Sequence, residues 1–380
     1  MMQISPETQL FIREHSSDDV RVLALQAKKY PDIDMPTAIT QIAGRKVAAE
    51  KIPSWWEIEK IWYPKHLSLE QCSSEITARY KARLLQGDSL TDLTGGFGID
   101  CSFLATGFKS ATYVERQEEL CEIAAHNFPV LNLNHINIKN EDGVTYLQVM
   151  SPVDSLFLDP ARRNEHGGKT VAISDCEPNV AELEELLLQK ANRVMIKLSP
   201  MLDLSLALKE LKQTQEVHIL SVNNECKELL ILLGQTSPAE ISIHCVNLFT
   251  KGTQKEQHFV FTREQEQCSE CTYTDSLETY LYEPNASLLK AGAFRSIAAA
   301  YPVRKLHPNS HLYTSDTFIE NFPGRIFRIV NQCSFNKKEV KENLVDLKKA
   351  NVTVRNFPAT VAELRKRIHL AEGGDTYLFA

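Results

Sequence analysis

Between about residue 75 and residue 235, short apolar runs alternate with amphipathic stretches. No other feature of the chain constrains its fold as tightly. The apolar runs Ser89–Leu93, Ala111–Val114, His135–Ile138, Ser155–Leu158 and Arg193–Leu198 are short enough for strands. Helical spacing occupies Ile99–Ala105, Glu118–Asn127, Val144–Val149, Val180–Lys190 and Leu204–Leu211 between and after them, and Val217–Val222 with Leu229–Leu233 reads as a closing hairpin. Strands and helices taken in turn at this spacing predict a parallel, doubly wound sheet.

With 380 residues the chain is too long for one ordinary core, so flanking units are expected. Residues 1–74 read as a helical region holding all three tryptophans, Trp55, Trp56 and Trp62. Such aromatics either stack on bases or fasten a helical region to its neighbour. Residues 236–274 read as an extra hairpin (Ile241–Leu248, His258–Phe261) and a polar linker, and residues 275–325 as a small, less regular module. Residues 326–380 read as a small α+β unit in the order strand (Arg325–Val330), helix (Lys338–Leu347), strand (Val352–Val354), helix (Val361–His369), strand (Thr376–Phe379). The net charge is −7, yet Ile326–Ala380 carries ten Lys/Arg against six Asp/Glu, a basic segment on an acidic chain. It is either a polyanion contact or a solvated helix face. An odd number of cysteines, nine, fits reduced thiols, and the lone Cys268–Cys271 pair lacks a second half-site, so no metal is expected. No apolar run approaches the ~20 residues needed to span a bilayer, and the N-terminus lacks a secretory pattern. By default the expected location is cytoplasmic, with no membrane partner.

The strongest chemical signal is Thr91-Asp92-Leu93-Thr94-Gly95-Gly96-Phe97-Gly98-Ile99-Asp100, placed between a strand and a helix where a doubly wound sheet binds nucleotide-like ligands. Its glycines let the backbone turn sharply and approach a ligand closely. The spacing Asp-x-x-x-Gly-x-Gly suits a zwitterionic amino acid moiety better than a pyrophosphate. Glu115-Arg116 closes the second strand, where a carboxylate can accept two ribose hydroxyls, and Asp142-Gly143 follows the third, at the height of an adenine amino group. Farther along, Leu158-Asp159-Pro160-Ala161-Arg162-Arg163 ends an apolar strand in Asp-Pro, and Lys197-Leu198-Ser199-Pro200 ends the next.

These residues resemble the class I methyltransferase superfamily over nearly all of 89–233. The resemblance implies a Rossmann-like sheet with S-adenosylmethionine as cofactor, and the closing hairpin suits that sheet better than a dehydrogenase half. Asp92, Thr94, Gly95, Gly96, Phe97, Gly98 and Asp100 would then surround the methionine part. Glu115 and Arg116 would lie at the ribose, Asp142 and Gly143 at the adenine, and Asp159 beside both cofactor and substrate. Asp159-Pro160 looks like the Asp-Pro-Pro-Tyr type of motif in nucleic-acid methyltransferases. Here Ala161-Arg162 replaces Pro-Tyr, which removes the aromatic that would stack on a flipped adenine. Asp-Pro-x-Arg is closer to the uracil C5 enzymes, but the strand ending at Lys197-Leu198-Ser199-Pro200 lacks their nucleophilic cysteine.

Direct in-line transfer to a nitrogen remains. Asp159 would orient the nucleophile, while Arg162 and Lys197 hold a carbonyl oxygen or phosphate. Pro160, Arg163 and Ser199 would touch the substrate, and guanine suits this arrangement of charges. In the alternative, Arg162 and Lys197 merely neutralise Asp159 and its neighbours.

The C-terminal run Arg355-Asn356-Phe357-Pro358 through Glu363-Leu364-Arg365-Lys366-Arg367 to Gly373-Gly374-Asp375-Thr376-Tyr377-Leu378-Phe379 resembles the THUMP-like domain of a bacterial class I methyltransferase family. The lead-in Gln71, Ser73-Ser74-Glu75, Thr77-Ala78 resembles the same family, in which a ferredoxin-like unit precedes the THUMP-like one. The resemblance implies an RNA substrate, with Arg365, Lys366 and Arg367 as phosphate contacts. Two other readings stay open: a small-molecule or protein methyltransferase, and an RNA-binding protein that keeps adenosylmethionine as a non-catalytic ligand.

Overall fold

The computed structural model describes residues 4–162, 172–236, 238–345 and 347–380, with the Arg162 side chain outside that description. Its centre is a nine-stranded sheet. The strands are β1 (Ser89–Asp92), β2 (Ser110–Glu115), β3 (Ile136–Asn140), β4 (Val153–Leu158), β5 (Ala191–Leu198), β6 (Thr214–Val222), β7 (Glu225–Gly234), β8 (Ser242–Leu248) and β9 (Glu256–Phe261). Their spatial order is β3-β2-β1-β4-β5-β7-β6-β8-β9. From β3 to β5 all pairs are parallel; β7 then runs antiparallel between β5 and β6.

The extra hairpin departs from expectation. β8 and β9 do pair antiparallel, but β8 also runs parallel to β6 from Ser242↔Glu216 to Leu248↔Val222. The hairpin therefore widens the main sheet instead of forming a separate unit. Sequence alternation gives a strand its faces but not its neighbour.

A sheet covered on both sides needs apolar residues at every position of a central strand. In β7 that run is Leu229-Leu230-Ile231-Leu232-Leu233, and all five side chains are fully buried. Leu229, Ile231 and Leu233 face one core with Leu156, Leu158, Val194 and Ile196, while Leu230 and Leu232 face the other with Phe157 and Met195.

The helices of the N-terminal region are α1 (Pro6–Glu14), α2 (Val20–Leu25), α3 (Met35–Lys51), α4 (Pro53–Trp56), α5 (His66–Gln71) and α6 (Glu75–Ala82). Within the sheet domain lie α7 (Ile99–Ala105), α8 (Glu118–Val130), α9 (Gly143–Val149), α10 (Val180–Lys190) and α11 (Leu204–Glu210). Leu187, Leu204 and Ala207 of α10 and α11 cover the first face, and Tyr80 and Leu104 of α6 and α7 the second.

The tryptophans act mainly as fasteners. Trp55, 2% exposed, meets the Phe97 ring edge-on at 5.2 Å, and Trp62 stacks on His126 at 3.7 Å. Trp56 stays 42% exposed.

Beyond Phe261, a small antiparallel sheet is built from β10 (Tyr280–Pro284), β11 (Arg304–Lys305), β12 (Tyr313–Ser315) and β13 (Gly324–Arg328), in the order β11-β12-β10-β13. Its Tyr282, Tyr313 and Phe322 join the same core as the first face of the large sheet. The strand expected at Arg325–Val330 forms over Gly324–Arg328. As β13 it pairs with β10 of the preceding unit, in register from Tyr280↔Arg328 to Pro284↔Gly324. The last unit retains a parallel pair, β14 (Asn351–Thr353) and β15 (Tyr377–Phe379), with helices at Lys337–Asn343 and Val361–Ile368. Among the described residues, no helix is long and apolar enough to cross a membrane.

Because Trp55 joins the helical region to the glycine turn through Phe97, Trp55→Ala should lower unfolding free energy by about 3–5 kcal/mol. Urea denaturation followed by far-UV circular dichroism would show it.

Candidate active site

A broad cleft opens over the C-terminal ends of the parallel strands. Its walls include Leu93–Asp100 after β1, Val114–Gln117 at the end of β2, Asp142–Val144 after β3, Leu158–Ala161 at the end of β4 and Lys197–Pro200 at the end of β5. Strand ends converge there because β1 to β5 run parallel, so all their C-terminal ends lie at one end of the sheet. Helices α3, α5 and α6 and the turns beside them supply a further part of the wall through residues such as Lys51, Ser73 and Glu75.

Two glycines of the turn after β1 leave no room for a side chain of their own. At Gly95 a Cβ would lie 2.2 Å from the Tyr113 ring, and Gly98 holds φ +86°, a left-handed conformation, at the start of α7. Asp92 at the end of β1 is fully buried. Its Oδ1 accepts the Thr94 N–H at 3.0 Å, while Oδ2 has no hydrogen-bond partner among the described residues. Burial pushes the Asp92 carboxyl up to about 8, against the Thr94 hydrogen bond. An orphaned buried carboxylate oxygen beside a backbone turn is suited to an ammonium group.

Glu115 accepts the N–H groups of Gly96 at 2.9 Å and Gln117 at 2.8 Å, which fixes its carboxylate over the turn. Asp142 caps α9, its Oδ1 accepting from the N–H groups of Val144 and Thr145. Gly143 approaches the turn closely: a Cβ there would lie 2.2 Å from the Leu93 carbonyl oxygen. Arg116 is exposed, 3.7 Å from Glu177 across the cleft. Phe97 is 3% exposed and packs on Trp55, so it supports the turn from behind.

The Asp159 loop is tied to the same turn, since its N–H donates to Thr94 Oγ1 at 2.6 Å. Its carboxylate Oδ2 lies 2.6 Å from Lys197 Nζ. Lys197, only 7% exposed, also lies 3.3 Å from Asp100 and donates to Ser73 Oγ at 3.0 Å. It is therefore committed to Asp159, Asp100 and Ser73, and does not reach freely into the cleft. Asp100, 8% exposed, sits between Lys197 and Lys81, whose Nζ is 2.9 Å away. Although burial acts to raise it, these two ammonium groups bring the Asp100 carboxyl down to about 2. Pro160 and Ser199 line the cleft; the Arg162 side chain and Arg163 lie outside the described residues.

Nothing in the sequence points to Lys81 or Glu228. Lys81 is fully buried and bridges Asp100 to Glu228 of β7, 2.6 Å away. Both come from distant segments that only the fold joins, and the family lead-in around Ser73 is the one local hint of them. Arg365, Lys366 and Arg367 do not line the cleft. Arg365 turns inward, 3.5 Å from Glu372, while Lys366 is exposed and the Arg367 guanidinium lies 5.6 Å from the Phe335 ring centre.

Residues 280–323 match a family described as a ferredoxin-like domain, and residues 324–380 one described as THUMP domain-like. A crystal structure of a "putative methyltransferase" from Porphyromonas gingivalis W83 superposes with TM-score 0.86 at 34% identity, covering 100% of this chain and 96% of its own. An rRNA methylase of Streptococcus thermophilus gives TM-score 0.31 at 16% identity, over 42% of this chain and 93% of its own. TrmK of M. capricolum, solved with S-adenosylhomocysteine, gives 0.33 at 12%, over 42% and 68%. The last two likenesses are too slight to bear on the site. No curated protein matches the sequence.

Asp92 makes stability depend on pH in a definite direction. Its folded value near 8 exceeds the ordinary 3.8, so the folded state holds a proton that the unfolded chain has lost between those limits. The ligand-free protein should lose stability as pH rises from about 4 to about 8, and level off above. Asp92→Asn should remove this contribution, gaining on the parent at pH 8.5 relative to pH 5. Denaturant titrations at the two pH values would reveal it; an equal difference at both would contradict the assignment.

Proposed function

This chain belongs to the class I S-adenosylmethionine-dependent methyltransferases that carry a C-terminal THUMP-like domain, and we propose that it methylates a base nitrogen of RNA, guanine favoured. The observation that carries this reading is the Asp159 carboxylate, anchored to the glycine turn through Thr94 and held by Lys197 at the cleft.

The residues present fit the cofactor. Asp92 Oδ2, buried with no hydrogen-bond partner among the described residues, would receive its ammonium group, and the cleft bordered by Gly95, Gly96 and Gly98 would admit the methionine part. Glu115 would accept the ribose hydroxyls, and Asp142 with Gly143 would lie at the adenine. When bound, adenosylmethionine supplies an electrophilic sulfonium methyl that a nitrogen can take in a single in-line displacement.

The protein's own contribution is positional. Asp159 accepts a hydrogen bond from the acceptor N–H and then its proton. Lys197 holds Asp159 in place and keeps its charge compensated, with Asp100 and Ser73 holding Lys197 in turn. Lys197 acts here as a positioning residue. Arg162 remains the candidate for the acceptor's carbonyl oxygen. Pro160, Ser199 and Arg163 would border the base.

Among the described residues, acidic side chains outnumber basic ones along the cleft walls. Phosphate contacts would come from the last unit, where Lys366 and Arg367 face solvent. The same acidic balance favours, as a second reading, a small or cationic acceptor.

Asp159→Asn should lower methyl transfer by about 10²- to 10⁴-fold while cofactor affinity, measured by calorimetry, stays within a few-fold. Lys366→Glu/Arg367→Glu should weaken RNA binding and flatten its salt dependence, by roughly 0.7 in log–log slope for each phosphate that is no longer neutralised. Unchanged RNA affinity and slope would favour the second reading. Mass spectrometry of nucleosides from cells with and without the gene would identify the methylated base, and an unchanged RNA profile would count against an RNA substrate.

A further inference from the structure

Away from the cleft, the second face of the sheet carries a row of imidazoles. Glu216 and His218 are two apart on β6 and so share a face. His244 on β8 is the register partner of His218, and their rings stack at 4.3 Å. His258 on β9 completes the row, with its Nε2 3.2 Å from His244 Nδ1. Ligand atoms of Glu216, His218 and His244 all lie within 4.8 Å of one another.

We propose that Glu216, His218 and His244 bind a divalent transition metal ion of the zinc class, with His258 orienting His244 from outside.

One of the three ligand spacings already suits such an ion. Metal–ligand bonds of about 2.0–2.1 Å in a tetrahedron set ligand atoms about 3.3 Å apart, and His218 Nε2 already lies 3.2 Å from Glu216 Oε2. The second nitrogens are also provided for. His218 Nδ1 is 2.8 Å from Tyr80 Oη, and His244 Nδ1 faces His258. Ligating histidines characteristically have their other nitrogen held in this way, which fixes the tautomer and the ring plane. Arg193 holds the other Glu216 oxygen at 3.2 Å, and the Arg83–Glu256 pair, 2.9 Å apart, borders the row beside Tyr80 and His258.

The ion would join β6 to β8 and pin the added hairpin to the sheet. None of this depends on the methyl-transfer reading. It runs against the expectation of no metal, which rested on cysteine spacing; the Glu216–His218–His244 set has no sequence signature because two strands supply it.

The test uses the full chain after dialysis against a chelator. Zinc titration in competition with a chromophoric chelator should show one equivalent bound. Cobalt should give the visible ligand-field bands of a tetrahedral site without the near-ultraviolet thiolate charge-transfer band that Cys268 and Cys271 would produce. His244→Ala should abolish uptake. Tyr80→Phe should weaken it by roughly 10- to 100-fold with the circular dichroism spectrum unchanged. Lack of stoichiometric binding by the parent protein, a thiolate band, or undiminished affinity in folded His244→Ala would overturn the proposal. Should His244→Ala fail to fold, the cobalt spectrum of the parent chain decides alone.

Discussion

Two buried ammonium groups sharing one carboxylate hold the active end of this molecule together. Lys81 and Lys197 both reach Asp100, Lys81 continues to Glu228, and Lys197 continues to Asp159. Burying any of these charges singly would cost several kcal/mol, and removal of one partner from such a set typically costs about 3–5 kcal/mol. The set is tolerable only because every member is paired and Ser73 donates to Asp100 while accepting from both lysines. Its members come from α6, α7, β5 and β7 and from the Asp159 loop. Assembly of the sheet and placement of the Asp159 carboxylate are therefore one event.

The glycine turn depends on the same assembly from the other side. Asp92 stays buried because β1 is central, and Thr94 bonds both to Asp92 and to the Asp159 loop. Phe97 leans on Trp55, so the N-terminal helices form the back wall of the turn. The electrostatics on the two sides differ in kind. Asp100 is held as a carboxylate by its ammonium neighbours, whereas Asp92 has no ammonium bonded to it among the described residues and favours its proton. Such a difference sets a candidate functional group apart from the groups that support the architecture.

Local patterns in the sequence are legible where the determinants are themselves local. Val180–Lys190 is a helix with those same bounds, because its apolar spacing and the Asn179 cap lie within one segment. The Asp92–Gly98 turn is readable for the same reason. Pairing is not. Ile241–Leu248 and His258–Phe261 alternate properly, but nothing in them says that β6 is the next strand. Arg325–Arg328 adjoins the last unit in sequence, yet its pairing partner begins at Tyr280. Lys81 and Glu228 are silent in the sequence because an isolated lysine in a helix normally reads as solvated, and the two lie more than a hundred residues apart. Phe97, expected as a cofactor contact, borders the cleft and also packs on Trp55, a second neighbour that the motif does not announce.

Glu283 gives the C-terminal half a mechanical character. It is 1% exposed on β10 and receives Arg325 from β13 on one oxygen and Arg355 from the last unit on the other. Separating the two small units would uncover this carboxylate and strip Phe327 from Tyr377 and Phe379. The β10 sheet in turn shares its core with the large sheet through Tyr282 and Phe322. The terminal unit is thus a bracket rather than a pendulum. A molecule bound at once to this unit and in the cleft would have to match a fixed span, as a calliper passes only one width.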